Sequence, residues 1–245
     1  MRADAFFAAL DQLPVASLDA IVGTGGLVVV APHPDDESLG CGGLIALASA
    51  ANRPVRLVVL SDGCSSHTHS LLYPPERLRA LREVETLTAV AELGLPSDTV
   101  RFLRLPDARV PSKGPQAEAA AESIVEAAHT CAAGAVCVTW GHDPHCDHQA
   151  AAAIVALARP RLVGARIFAY PVWGHTLPAE ADVGTAPSGV RLDVTGAIAA
   201  KRQAVARHAS QTTALIADDP EGFRLEPAMI DRLCGCYEPF IEMSA

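Results

Sequence analysis

The sequence predicts an α/β fold built on an open, mostly parallel central sheet, and three observations predict it. Val28 to Val30 form an apolar run bounded by Gly25-Gly26 and Pro32, which reads as a strand buried on both faces. Similar apolar runs recur along the chain and are followed in turn by helical segments. With 245 residues, half of them apolar, the chain can bury a substantial core and fits one large domain, 1–245, better than two small ones.

In chain order, residues 1–25 suggest short helices broken at Pro14, with Phe6, Phe7 and Leu10 packing on the sheet edge. After the first strand, Gly40-Cys41-Gly42-Gly43 is expected to open a helix from Leu44 to Ala51. These glycines lack the spacing of a dinucleotide fingerprint, and no acid closes the next strand at the right distance. A strand from Val55 to Leu60 ends at Ser61-Asp62, and the loop Gly63 to Pro75, with His67, His69 and Ser70, is long for an α/β connection. That makes it a candidate lid or substrate loop, although the same composition suits an ordinary exposed turn. A helix runs from Pro75 through Leu93, with Gly94 ending it and Arg82 and Glu85 spaced to pair on its surface. The strand Val100 to Leu105 ends in Pro106-Asp107, whose carboxylate can accept hydrogen bonds from a ligand at the sheet rim. The alanine-rich helix Gln116 to Ala132, the strand Ala135 to Thr139 and the helix Ala150 to Ala158 follow. The strand Arg166 to Tyr170 leads into Pro171 to His175 at the same rim, where Trp173 offers an aromatic face for stacking on a ligand ring. A strand near Val190 to Asp193 and a helix from Gly196 to about His208 come next, and Pro227 to Phe240 reads as a closing helix without chemistry.

The formal charge of −9 and the lack of a Lys/Arg-rich run argue against nucleic acid or an anionic membrane as partner. No apolar run approaches a membrane span, and Asp4 and Asp11 stand where a signal peptide needs a basic start, so a cytoplasmic protein is expected. The seven cysteines, an odd number without a Cys-x-x-Cys pair, form no disulfide framework. Cys146 lies among site histidines, but a thiolate there would compete with a His/Asp ligand set, so it is not taken as a ligand.

The chemistry begins where the first strand ends, at His33-Pro34-Asp35-Asp36-Glu37. His33 and Asp36 can reach one metal ion, while Asp35 points elsewhere and can take a proton from water. A second cluster, Trp140 to His148, also follows a strand, and two clusters at strand carboxyl ends can meet in the crevice of a parallel sheet. If a helix begins there, His145 and His148 share a face; one can bind metal while the other faces substrate.

His33-Pro34-Asp35-Asp36-Glu37 together with His145-Cys146-Asp147-His148-Gln149-Ala150 resembles the PIG-L/LmbE family of zinc-dependent N-deacetylases. Arg82, Glu85, Ala89, Leu93 and Gly94, then Leu105-Pro106-Asp107, then Lys201, Ala204, His208, Ser210 and Gln211, are similar to further family segments in the same order. The resemblance implies a Rossmann-like three-layer LmbE-like fold and a Zn²⁺ cofactor held by His33, Asp36 and His148. It implies Asp35 as general base, His145 as acid or oxyanion stabiliser, Asp147 as the residue orienting His145, Arg82 as a substrate contact and His208 behind the site. Where the family often has a Gly-Glu pair, this chain reads Gly63-Cys64, so the pocket differs there. The implied substrate is a small N-acetylated amino sugar or glycoconjugate, with homo-oligomerisation left open. Two rivals stand beside it: an amidase cleaving a larger acyl group from a thiol-sugar conjugate, and a non-catalytic sugar-binding protein on the same fold.

Overall fold

The computed structural model describes residues 1–243. Its strands are β1 (Val15–Ala16), β2 (Gly26–Ala31), β3 (Val55–Ser61), β4 (Val100–Leu105), β5 (Ala133–Thr139), β6 (Arg166–Tyr170), β7 (Gly189–Asp193) and β8 (Tyr237–Glu242). The helices that matter here are α1 (Ala3–Leu10), α2 (Leu18–Val22), α3 (Asp36–Ala50), α4 (Pro75–Glu92), α5 (Pro115–Thr130), α6 (Cys146–Ala158), α7 (Ile198–Arg207), α8 (Ala209–Thr212) and α9 (Pro227–Leu233).

All eight strands join one sheet in the order β1-β7-β8-β6-β5-β2-β3-β4. The pairings from β6 through β4 are parallel, and β8 runs antiparallel to both β6 and β7. Each residue of β2 is fully buried. Strand side chains alternate, so Leu27, Val29 and Ala31 enter one core with α3, α4 and α7, whereas Val28 and Val30 enter the other with α5 and α6. That gives three layers. The continuous Val28-Val29-Val30 run is apolar because neither face meets water, and burying each valine contributes about 1.5–3 kcal/mol.

β2 is the switch point of the sheet. The chain leaves it towards β3 on one side and later returns as β5 on the other, which opens a crevice beyond the carboxyl ends of β2 and β5.

Two expectations fail in instructive ways. The helix after the first motif starts at Asp36 and runs through Gly40, Gly42 and Gly43 instead of starting after them. Glycine costs a helix about 1 kcal/mol each, but a Cβ on Gly40 would enter the ring of Tyr170 and one on Gly43 would strike Val194. The glycines therefore allow close packing of α3 on the sheet, which sets Asp36 at the mouth of β2. The chain end is the second difference: α9 stops at Leu233 and Tyr237–Glu242 inserts as a strand between β6 and β7. Glu238 of that strand is buried, accepting from Lys201 Nζ at 2.6 Å and from the Gly43 and Leu44 amides at 2.7 and 2.8 Å. A buried ion pair across distant segments carries no local periodicity, so sequence pattern could not announce it.

At the amino terminus, Phe6 of α1 stacks on Trp140 at 4.7 Å, packing the helix where β5 ends. Among the described residues, no helix is long and apolar enough to cross a membrane.

Candidate metal centre and cleft

The loops leaving the five contiguous parallel strands, β6-β5-β2-β3-β4, all feed one cleft of about 580 Å³ of open space. His33, Asp35 and Asp36 come from the end of β2, Ser65 and Ser66 from β3, Asp107 from β4, His145 from β5 and Trp173 from β6; Gln211 and Phe223 close the remaining side.

Three acceptor atoms converge at its floor. His33 Nδ1 lies 3.1 Å and His148 Nε2 3.3 Å from the same Asp36 Oδ2. Ring nitrogens of His33, His145 and His148 also gather within 4.8 Å of one another. His148 is fully buried, its Nδ1 bonds Asp143 Oδ2 at 2.9 Å, and its Nε2 has no hydrogen-bond partner. With Nδ1–H donating to Asp143, the Nε2 lone pair faces a carboxylate oxygen, an arrangement that requires a positive charge between them. Protons fill that need when no cation does. Burial would lower His148, yet Asp36 and Asp143 raise it to about 9. Burial would raise Asp36, but His148 and His33 hold it well below the usual carboxylate range. A borderline divalent cation fits the same nitrogen and oxygen donors.

His33 is fixed from its other nitrogen. Nε2–H donates to Asp147 Oδ2 at 3.1 Å and lies 3.3 Å from Asp107 Oδ1. Burial would lower its pKa, and Asp107, Asp147 and Asp36 together raise it well above the ordinary value. This corrects the expectation for Asp147. Its carboxylate faces His33 and accepts the Ala108 and Val110 amides at 2.7 and 2.9 Å, so it orients His33 and the loop after β4. What residue 147 gives His145 is its backbone N–H, donated to Nδ1 at 3.2 Å. His145 is the N-cap of α6, and that bond leaves the ring proton on Nε2. Burial, then the nearby charges of His33 and His148, lower its pKa and keep it a neutral donor at the cleft.

Asp35 lines the same cleft, and its Oδ2 accepts from Arg82 Nη2 at 3.3 Å. Its backbone has φ +143° and ψ −28°, a region that costs a non-glycine residue roughly 1–3 kcal/mol. Burial pushes its carboxyl up to about 7 against the pull of Arg82.

Arg82 is 3 % exposed and its Nη atoms are engaged: Nη1 on Gly63 O at 2.9 Å, Nη2 on Pro34 O at 2.8 Å and Asp35 Oδ2 at 3.3 Å. It borders the cleft, but these donors go to protein. Its expected surface pair with Glu85 does not form, because Glu85 accepts the Ser210 amide and hydroxyl at 2.7 and 2.6 Å. Asp107 also borders the cleft; Oδ2 accepts the Ser65 amide at 2.7 Å, and, despite burial, His33 brings its pKa down to about 2.

Several participants have roles that the sequence reading did not assign, although Asp143 and Glu37 lie inside its two motifs. Asp143 holds both His148 and the Val172 amide, at 2.9 and 3.0 Å. Glu37 accepts from the Asp35 amide at 3.0 Å and from His208 Nε2 at 2.9 Å. Phe223 meets Trp173 edge-on at 5.4 Å and forms an aromatic wall with it. The loop 63–75 is less free than a lid. Asp218 accepts from Ser70 Oγ and the Leu71 and Leu72 amides at 2.8, 2.8 and 2.9 Å, and the Phe223 amide donates to Ser66 O at 2.7 Å. His175 packs on Phe7 at 4.0 Å, away from the cleft lining.

No curated protein matches the sequence. Among solved structures, the chain is similar to N,N'-diacetylchitobiose deacetylase from Pyrococcus horikoshii, at 19% identity over 90% of this chain and 84% of that one, with a TM-score of 0.66. It is similar to the conserved protein TT1542 from Thermus thermophilus, at 24% identity over 89% and 94%, TM-score 0.66. The hydratase GalB from Pseudomonas putida KT2440 is similar at 16% identity over 90% and 97%, again with a TM-score of 0.66. These likenesses show an LmbE-like fold that serves more than one reaction. The profile of the PIG-L family, described as GlcNAc-PI de-N-acetylase, matches residues 28–158, which span both histidine clusters and more than half the chain, and the chain belongs to that family.

Proposed function

We propose that the protein is a metal-dependent N-deacetylase that removes the N-acetyl group from an amino sugar or sugar conjugate, with zinc as the metal. The observation that carries the reading is the convergence of His33 Nδ1, Asp36 Oδ2 and the unpartnered His148 Nε2 beside a separate carboxyl and a neutral imidazole donor. His33, Asp36 and His148 hold the cation, which supplies polarisation of an amide carbonyl and a more acidic water. Asp35, with a pKa near neutrality, takes the proton of the attacking water. His145 Nε2–H donates to the oxygen on which negative charge develops. The leaving amine finds both of these groups in the cleft as proton donors.

Asp107 keeps acceptor capacity beyond Ser65 and His33, and we assign it a sugar hydroxyl. Arg82 acts on substrate through the turn that it grips. Trp173 and Phe223 offer faces and edges to the apolar side of a sugar ring.

The names of the family and of the P. horikoshii relative make N-acetylglucosamine and N,N'-diacetylchitobiose the first substrates to test. The seven free cysteines suit a reducing compartment and support action in the cytoplasm, and one continuous sheet supports a single deacetylase domain over 1–245. Acetate release from a panel of N-acetyl amino sugars, with metal content measured alongside, tests the proposal. Acetate is the expected product; release of a larger acid from a thiol-sugar conjugate alone would point to the amidase, and zinc binding without turnover to a binding protein.

A further inference from the structure

The peptide joining Pro34 to Asp35 is held at both of its polar ends by buried charged side chains. Its carbonyl accepts Arg82 Nη2 at 2.8 Å, and its N–H donates to Glu37 Oε2 at 3.0 Å. Glu37 is itself immobilised: it is fully buried, and Oε1 accepts Ser38 Oγ at 2.7 Å and His208 Nε2 at 2.9 Å. His208 sits between α7 and α8, so a segment far along the chain reaches Glu37 directly, with His208 Nε2 also 3.3 Å from Ser38 Oγ. The plane of a peptide sets φ of the residue that follows it, and this one sets Asp35 at +143°. A residue in such a region relaxes unless its surroundings over-determine it. Here, they do.

We propose that Glu37, braced by His208, is a positioning residue that keeps the Asp35 carboxyl aimed into the cleft by locking the Pro34–Asp35 peptide. The proposal rests on the reading of Asp35 as base. Glu37 does not touch the cleft, so its effect on turnover passes through Asp35. It predicts that removing Glu37 is costly only while residue 35 is an aspartate.

The experiment is a double-mutant cycle on the full chain loaded with zinc: wild type, Asp35→Asn, Glu37→Ala and the double variant, assayed for acetate from N-acetylglucosamine with metal content beside it. Glu37→Ala is expected to lower kcat about a hundredfold while KM and metal content stay within about twofold. In the Asp35→Asn background, the same change should cost less than about twofold. Glu37→Gln keeps an oxygen for the Asp35 amide and should recover kcat to within about fivefold of wild type. If Glu37→Ala does not fold, His208→Gln loosens Glu37 without emptying its place and carries the cycle.

A readout independent of turnover uses the metal-free protein. Hydrogen exchange at the Asp35 amide should speed up at least about tenfold in Glu37→Ala and stay slow in Glu37→Gln. Equal losses in both backgrounds, or an Asp35 amide whose exchange does not change, would overturn the positioning role. Undiminished kcat in Asp35→Asn would instead overturn the base reading beneath it.

Discussion

The two sides of the cleft are built differently. On the floor, His33, Asp36 and His148 converge and the two histidines are steadied by charged neighbours, Asp147 for His33 and Asp143 for His148. On the wall, Trp173, Phe223 and Ser66 come from separate loops and Gln211 from α8, joined by neutral hydrogen bonds such as the Phe223 amide on Ser66 O, the Leu225 amide on Gln211 O and the Gln211 side-chain amide on Ser66 Oγ. The floor has chemistry fixed by a few polar groups at set spacings. The wall has shape. Reaction type should therefore be sensitive to floor substitutions in an all-or-none way, and substrate choice to wall substitutions by degrees.

The largest effect tests the floor. His148→Ala removes an imidazole at the centre of the cluster, and chelation of the wild-type protein removes what it holds; both should take activity to background, with zinc content by elemental analysis falling in parallel. Activity that survives full chelation would break the comparison at its root.

Asp35→Asn should keep the metal and lower kcat by about 10²- to 10⁴-fold. Metal content and turnover measured on the same sample separate this from the first case. A smaller loss follows from Asp143→Ala, which strips His148 of its Nδ1 partner and should weaken metal affinity about 10- to 100-fold, read by competition with a chelating dye.

The wall should respond least. Trp173→Ala and Phe223→Ala each remove one partner of an edge-on pair worth about 0.5–1.5 kcal/mol, so KM for N-acetyl sugars should rise by about 2- to 12-fold with kcat nearly unchanged. Steady-state kinetics on both variants would sharpen the distinction, and a kcat collapse in either would erase it.

Much of the fold was legible from residue order. Val28 to Val30 announced a strand closed off on both sides, and Gly94 marked the stop of α4 with φ +82°. The pairing of acids and histidines at two strand ends pointed to one crevice because a parallel sheet gathers those ends at one rim. What failed were inferences that treat a residue by its local neighbours. Gly40 to Gly43 look like a helix opener but lie inside α3, since their use is to admit Tyr170 and Val194. Asp147 is next but one to His145 in sequence, yet its carboxylate turns to His33.

By itself, the sequence determined the alternation of buried strands and helices, the family, and the set of ligand-type side chains, because hydrophobic period and short polar motifs are properties of contiguous residues. Only the tertiary structure decided which carboxylate serves which imidazole, that Arg82 faces a turn, and that Phe223 completes the cleft. Those choices depend on the direction of side chains brought together from distant segments, and direction is set by packing, which no short stretch of chain contains.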